Sequence, residues 1–159
     1  MTRPRTRVLA VVVAMLAGAL VGVPSNNSAG ATEERVSGNV RFLLIGDGRG
    51  PDSVVAYGAI HDHGTDRVLG PRRDRFVFPD GNVVIRHKPG GGRDHFDPAT
   101  CHFRFVERGT WRAVRGTGAY DDVRGHGRYV ARGHGVACDE NERPEVFISL
   151  VRARGNLSY

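Results

Sequence analysis

The sequence predicts an all-β fold: a single-domain, eight-stranded antiparallel β-barrel. Three observations carry that reading. The chain beyond residue 31 holds short runs rich in Val, Ile, Phe and Tyr, cut at short intervals by Gly, Pro and Asp. Such runs read as strands joined by turns. No stretch shows the 3.6-residue periodicity of an amphipathic helix. A chain of 159 residues suits one domain, and eight strands of this size close into a small barrel that leaves no sheet edge exposed.

The elements follow in order. Arg3, Arg5 and Arg7 precede the apolar run Val8 to Val23, and Ala29-Gly30-Ala31 follows it. A basic start, a short apolar run and a small-residue site make a secretory signal peptide. We place it at residues 1–31, with cleavage between Ala31 and Thr32, and the barrel domain at 32–159. The run is broken by Gly18, Gly22 and Pro24 and is shorter than the ~20 residues of a membrane span. An uncleaved anchor is the alternative. Strands are expected near Val36–Ile45, Val54–His61, Asp74–Phe78, Asn82–His87, Cys101–Glu107, Thr110–Arg115, Gly127–Ala137 and Glu145–Ala153.

Pro79-Asp80-Gly81-Asn82 reads as a tight hairpin turn, because Pro presets φ and Gly accepts φ > 0. Arg108-Gly109 reads as a second turn. Lys88-Pro89-Gly90-Gly91-Gly92-Arg93 and Gly46-Asp47-Gly48-Arg49-Gly50-Pro51 read as loops. Neither opens a helix or carries the Lys-Ser/Thr of a phosphate loop, which excludes that role.

The chain has 23 Lys+Arg, 17 Asp+Glu and a formal charge of +6. Removing the three leader arginines leaves 20 bases against the same 17 acids, or +3. That halving weakens the case for nucleic acid, and no nucleic-acid partner is expected. Nor is membrane association expected after cleavage. The two cysteines, Cys101 and Cys138, read as a disulfide in an oxidising compartment, with two free buried thiols as the alternative.

Strand alternation nominates interior residues. Glu107, His87 and His61 each share a strand face with apolar residues. At a barrel mouth such a group can act as general acid or base on a bound guest; a rim position is the alternative. Tyr57, Phe103, Phe105, Trp111 and Tyr129 would line a cavity or fill it. His61 and His63 form a weak metal candidate if they share a strand face, with Asp66 adding an oxygen. No metal or other cofactor is expected. Arg124-Gly125-His126-Gly127 recurs as Arg132-Gly133-His134-Gly135. This sets His126, Arg128, Val130, Arg132 and His134 on one basic strand face, with acidic Asp139, Glu140, Glu142 and Glu145 following.

Three ordered blocks carry a family resemblance. They are Phe76-Val77-Phe78-Pro79-Asp80-Gly81-Asn82-Val83, Phe96-Asp97-Pro98-Ala99-Thr100-Cys101, and Gly116-Thr117-Gly118-Ala119-Tyr120 continuing to Gly125-His126-Gly127. Together they resemble the dirigent and allene oxide cyclase barrel-like superfamily, and within it the small secreted proteins of actinobacteria. Arg115 and Asp121-Asp122-Val123-Arg124 depart from the small residues that relatives carry there. The resemblance implies an eight-stranded antiparallel barrel, often dimeric or trimeric, that shapes a guest in a largely apolar cavity. No catalytic residue of either plant family finds a match here. Gly116, Thr117, Gly118, Tyr120, Gly125 and Gly127 carry the motif, and we read its glycines as turn and corner positions.

Three functions therefore compete. The first is a barrel binding or guiding a small apolar molecule, marked by a cavity of about 300 Å3. The second is a cyclase- or isomerase-type enzyme working in that cavity. The third is a non-catalytic exoprotein for surface or protein interaction.

Overall fold

A computed structural model describes residues 35–139 and 143–159; the expected leader and its Ala31/Thr32 cleavage site lie outside them. The fold is a closed antiparallel barrel in which each strand pairs with its sequence neighbours and β8 returns to β1. The strands are β1 (Ser37–Gly46), β2 (Asp52–Gly58), β3 (Asp62–Gly70), β4 (Arg73–Phe78), β5 (Gly81–Asp97), β6 (His102–Gly118), β7 (Arg124–Val136) and β8 (Val146–Ser158).

Period-2 alternation decides what faces inward. Val40, Phe42 and Leu44 of β1, Val54 and Ala56 of β2, and Phe76 and Phe78 of β4 are buried, while their odd-and-even neighbours face out. Edge-on aromatic contacts tie the centre together. The Phe42 ring lies 5.2 Å from Phe76 and 5.5 Å from Trp111, spacings at which tilted rings attract. One end of the barrel is plugged. Tyr120 sits 5.9 Å from Phe78 and 5.0 Å from Tyr159, and the Tyr159 hydroxyl donates to the Ala59 carbonyl at 3.0 Å. Ile60 and Val123 fill the remaining floor, both fully buried.

The strand count of eight agrees with the sequence reading, but through two compensating differences. Cys101–Glu107 and Thr110–Arg115 are one strand, β6, and Arg108-Gly109 is no turn. Gly109 faces Tyr129 across the ladder, and a Cβ there would press into that ring. Its glycine makes room for an aromatic rather than for a bend. The uncounted strand is β3, whose sequence Asp-His-Gly-Thr-Asp-Arg-Val-Leu-Gly has few apolar residues. The hairpin at Pro79-Asp80 is as expected: Phe78 pairs with Gly81, at φ 152°, a value Gly tolerates. The Gly46–Pro51 loop also holds between β1 and β2.

Lys88–Arg93 differs from expectation. It belongs to β5 and pairs with β6 through a bulge at Pro89/Gly91. The reason is position: β4 pairs with β5 only as far as Arg86, so Pro89 sits on a free edge, where its missing N–H removes no ladder bond. Strands β5 to β8 thus rise beyond β1 to β4 as a four-stranded extension. Proline, glycine and charge along this edge disfavour pairing with other chains.

Cys101 and Cys138 form a disulfide at the tip of that extension, with Cα atoms 4.7 Å apart. Just inside it, the Ala137 N–H donates to the Cys101 carbonyl at 2.9 Å.

Candidate functional site

The interior is not completely filled. A cavity of about 160 Å3 lies above the aromatic floor, walled by Phe42, Leu44, Phe76, Ile85 and Trp111 on one side and by Ala131, Val151 and Ala153 on the other. The space exists because several inward positions of β7 and β8 are small. Gly127 and Gly133 of β7 lie opposite aromatic residues of β6, Ala153 of β8 lies opposite Phe42 of β1, and Ala131 and Gly155 are further small inward residues. The pairing is direct at several rungs. Gly127 lies opposite Trp111, Gly133 opposite Phe105 and Gly135 opposite Phe103. A Cβ on Gly127 would sit 2.6 Å from Trp111 Nε1, and one on Gly135 2.7 Å from Phe103 Cζ. Glycine beneath an aromatic ring is a recognised sheet device. The repeated Arg-Gly-His-Gly therefore places its glycines inward and its Arg and His outward. Gly127, Gly133 and Gly135 lie under rings, whereas Gly125 lies opposite Ala113 and against Leu157, so close packing rather than the expected corner role explains Gly125 and Gly127.

The cavity is capped by polar side chains, one from each of six consecutive strands. Asp52 comes from β2, Asp66 from β3, Asp74 from β4, His87 from β5, Glu107 from β6 and Tyr129 from β7. His87 Nε2 lies 3.4 Å from Asp74 Oδ2. The Tyr129 hydroxyl donates to Glu107 Oε1 at 2.6 Å, and the Tyr129 ring meets the His87 ring edge-on at 5.9 Å. The result is a connected chain, Asp74–His87–Tyr129–Glu107, around an apolar hollow.

Electrostatics divide these groups. Burial first, and then the charges of Asp74 and Asp52, push the Asp66 carboxyl up to about 8. At pH 7 it is mostly a neutral acid, a hydrogen-bond donor rather than a charge. Burial also raises Asp74, but the facing His87 pulls it back toward the charged form. Asp52 is raised by burial and by Asp47. Burial and the bond to Glu107 hold the Tyr129 proton far above the usual phenol range. Asp66 is only 7% exposed, and its Oδ1 has no hydrogen-bond partner; nor has Nε1 of Trp111. Buried polar atoms left without partners cost about 1–3 kcal/mol each.

Glu107, His87, Trp111 and Tyr129 lie where the strand alternation put them, on the cavity. The other four candidates lie elsewhere. Tyr57 is 48% exposed on the outer wall, because Val54 and Ala56 take the inward positions of β2. His61 is exposed in the β2–β3 connection and packs edge-on against Tyr57 at 5.9 Å. Phe103 and Phe105 are on the inward face of β6 but above the cavity, stacked on Phe147 with centroids 6.1 and 6.4 Å away. His61 precedes β3, so it and His63 do not share a strand face. Among the described residues no group of three His, Cys, Asp or Glu is placed to hold a metal ion. Gly116, Thr117, Gly118 and Tyr120 build the plugged end. Gly118 adopts φ 64°, Thr117 Oγ1 accepts from the Asn82 backbone and side chain at 3.2 and 3.1 Å, and Tyr120 is buried.

Sequence reasoning passed over Asp52 and Asp74 and saw Asp66 only as a possible metal ligand. Asp74 carried a legible signal, two residues before Phe76 and four before Phe78 on the same face. Asp66 did not, because its strand is too polar to be recognised.

The chain matches no family model, no curated protein and no solved structure.

Proposed function

We propose that this protein is a secreted barrel that holds a small, mainly apolar guest by its apolar body and orients it by a polar end at the acid-lined mouth. The cavity itself carries this reading: a mainly apolar, half-open hollow under a ring of six polar residues, with a buried Asp66 oxygen left without a partner. At about 160 Å3 the space is smaller than the ~300 Å3 expected of a drug-sized site. It is close to the ~150 Å3 that accommodates benzene. The guest is accordingly a single ring or a molecule of that bulk, bearing an oxygen that can accept the Asp66 proton. The disulfide and the leader at residues 1–31 support export. The three motif blocks support a place in the dirigent and allene oxide cyclase superfamily.

The test is a thermal-shift and Trp111-fluorescence screen of single-ring phenols, ketones and hydrocarbons, run on the protein and on Ala153→Leu, which fills the hollow. Ketones or phenols should raise the melting temperature of the parent only. No shift from any compound, or equal shifts in both proteins, would refute the reading.

A cyclase- or isomerase-type activity is the second reading. It is favoured by the buried Asp66 carboxyl facing the same hollow as the His87–Asp74 pair, since a carboxyl and an imidazole within one cavity are groups that general acid–base catalysis uses. Deuterium exchange at the α-carbon of cyclohexanone, followed by NMR, tests it. Exchange above background that is lost in His87→Gln supports catalysis; background exchange leaves binding alone.

A further inference from the structure

The mature charge of +3 averages inside and outside together, and the fold separates them. Four of the acids, Asp52, Asp66, Asp74 and Glu107, are turned into the cavity. On β6, β7, β8 and β1 the outward positions carry no Asp or Glu at all. Arginines take many of these places. Arg41, Arg154 and Arg128 stand in one row across three neighbouring strands, each in register with the next. One rung further along, Arg152 and Arg108 flank Val130, and Arg132 follows beside Leu150. All six are exposed, and among the described residues none has a carboxylate within ion-pair distance.

Rungs are ~4.8 Å apart across strands, and same-face residues ~6.8 Å apart along them. Like charges set directly opposite each other destabilise a sheet. Folding gains nothing from the Arg41–Arg154–Arg128 row, yet the row faces an open, shallow depression of about 850 Å3 that all six border. Leu43, Tyr57, Val130 and Leu150 form its apolar floor between the guanidinium groups.

We propose that this wall is a binding surface for an acidic polysaccharide. Guanidinium forks pair bidentately with carboxylate or sulfate, and the apolar patches between them suit the C–H faces of sugar rings. The array spans four strands and three rungs, which fits an extended chain of repeating anions rather than one small ion. Of the three aromatics that line the depression, Phe42 and Tyr129 are buried in the barrel and Tyr57 alone is exposed, whereas single-stranded nucleic acid is held by a series of stacking rings. No acid stands on this wall: four are turned into the cavity, and the outward positions of β6, β7, β8 and β1 carry none.

The test uses the folded, disulfide-bonded protein, with heparin as sulfated probe, polygalacturonate as carboxylated probe, dextran as neutral control and a 20-nucleotide single-stranded DNA as competitor class. At ~0.1 M salt at least one acidic glycan should bind and dextran should not. The triple variant Arg41→Ser/Arg128→Ser/Arg154→Ser should weaken binding at least ~10-fold and flatten its salt dependence, as lost counterion release requires. Arg67→Ser/Arg73→Ser/Arg75→Ser removes the same charge from β3 and β4 and should change it less than ~3-fold. Trp111 fluorescence checks folding, and Arg108→Ser/Arg152→Ser gives an independent lesion in the same wall. The proposal is overturned if neither glycan binds, if both triple variants weaken binding equally, or if DNA binds more tightly than both glycans.

Discussion

Asp66 makes the barrel's stability depend on pH in a direction unusual for a carboxylate. Its carboxyl is pushed up to about 8 in the folded chain, from 3.8 for an unperturbed aspartate, so between those limits the folded chain binds the extra proton. Stability is then full below pH ~4 and falls as the pH rises toward 8, the reverse of an ion-paired acid. From 3.8 to pH 7 the linkage accumulates to about 4 kcal/mol, a large share of the ~5–15 kcal/mol that holds a domain together. Asp66→Asn keeps the shape and cannot ionise. Its own burial penalty is the same at every pH, so the informative quantity is how its effect changes with pH. Relative to the parent, the variant should gain about 2–4 kcal/mol between pH 4 and pH 7. Urea unfolding at both pH values, followed by Trp111, the single tryptophan and a buried one, measures this directly. A difference between the two proteins that stays within ~0.5 kcal/mol across that range would refute the claim that Asp66 is buried as a neutral acid.

Tyr129→Phe removes the donor to Glu107 Oε1 at 2.6 Å and should cost about 1.5–3 kcal/mol, as hydrogen bonds to charged groups do; urea midpoints measure it. Gly127→Ala drives a methyl group against Trp111 and the Arg154 carbonyl and should cost about 1–3 kcal/mol. Gly50→Ala meets nothing within 4 Å and should stay within ~0.5 kcal/mol by the same assay. Replacing Cys101 and Cys138 by Ser opens a loop of 37 residues and should cost about 3–4 kcal/mol. The Ala137 amide should then exchange its hydrogen faster than in the parent.

How much of this was legible depended on how each residue earns its place. The strands with clean alternation, such as Val40, Phe42 and Leu44 or Phe76 and Phe78, were readable because burial of one face is written at every second position. The same rule found Glu107, His87, Trp111 and Tyr129. It failed at Tyr57, where the larger apolar residue faces out and the smaller Val54 and Ala56 face in, since alternation reveals two faces and not which of them is inside. It failed again at β3, whose inward Asp66 and Gly64 have no apolar signature. Pro89 and the glycines beside it read as a loop because their strand lies on an edge, and edges are a property of the sheet.

By itself, then, the sequence determined the all-β class, the strand rhythm, the tight turn at Pro79-Asp80 and the pairing of its two cysteines. These rest on local periodicity, backbone preference and simple count. Tertiary structure alone decided that acids from β2, β3 and β4 meet His87, Glu107 and Tyr129 around one hollow, and that arginines from β1, β6, β7 and β8 meet on one outer wall. Closure of a barrel brings together residues more than a hundred positions apart, and composition averages over the inside and outside that closure creates.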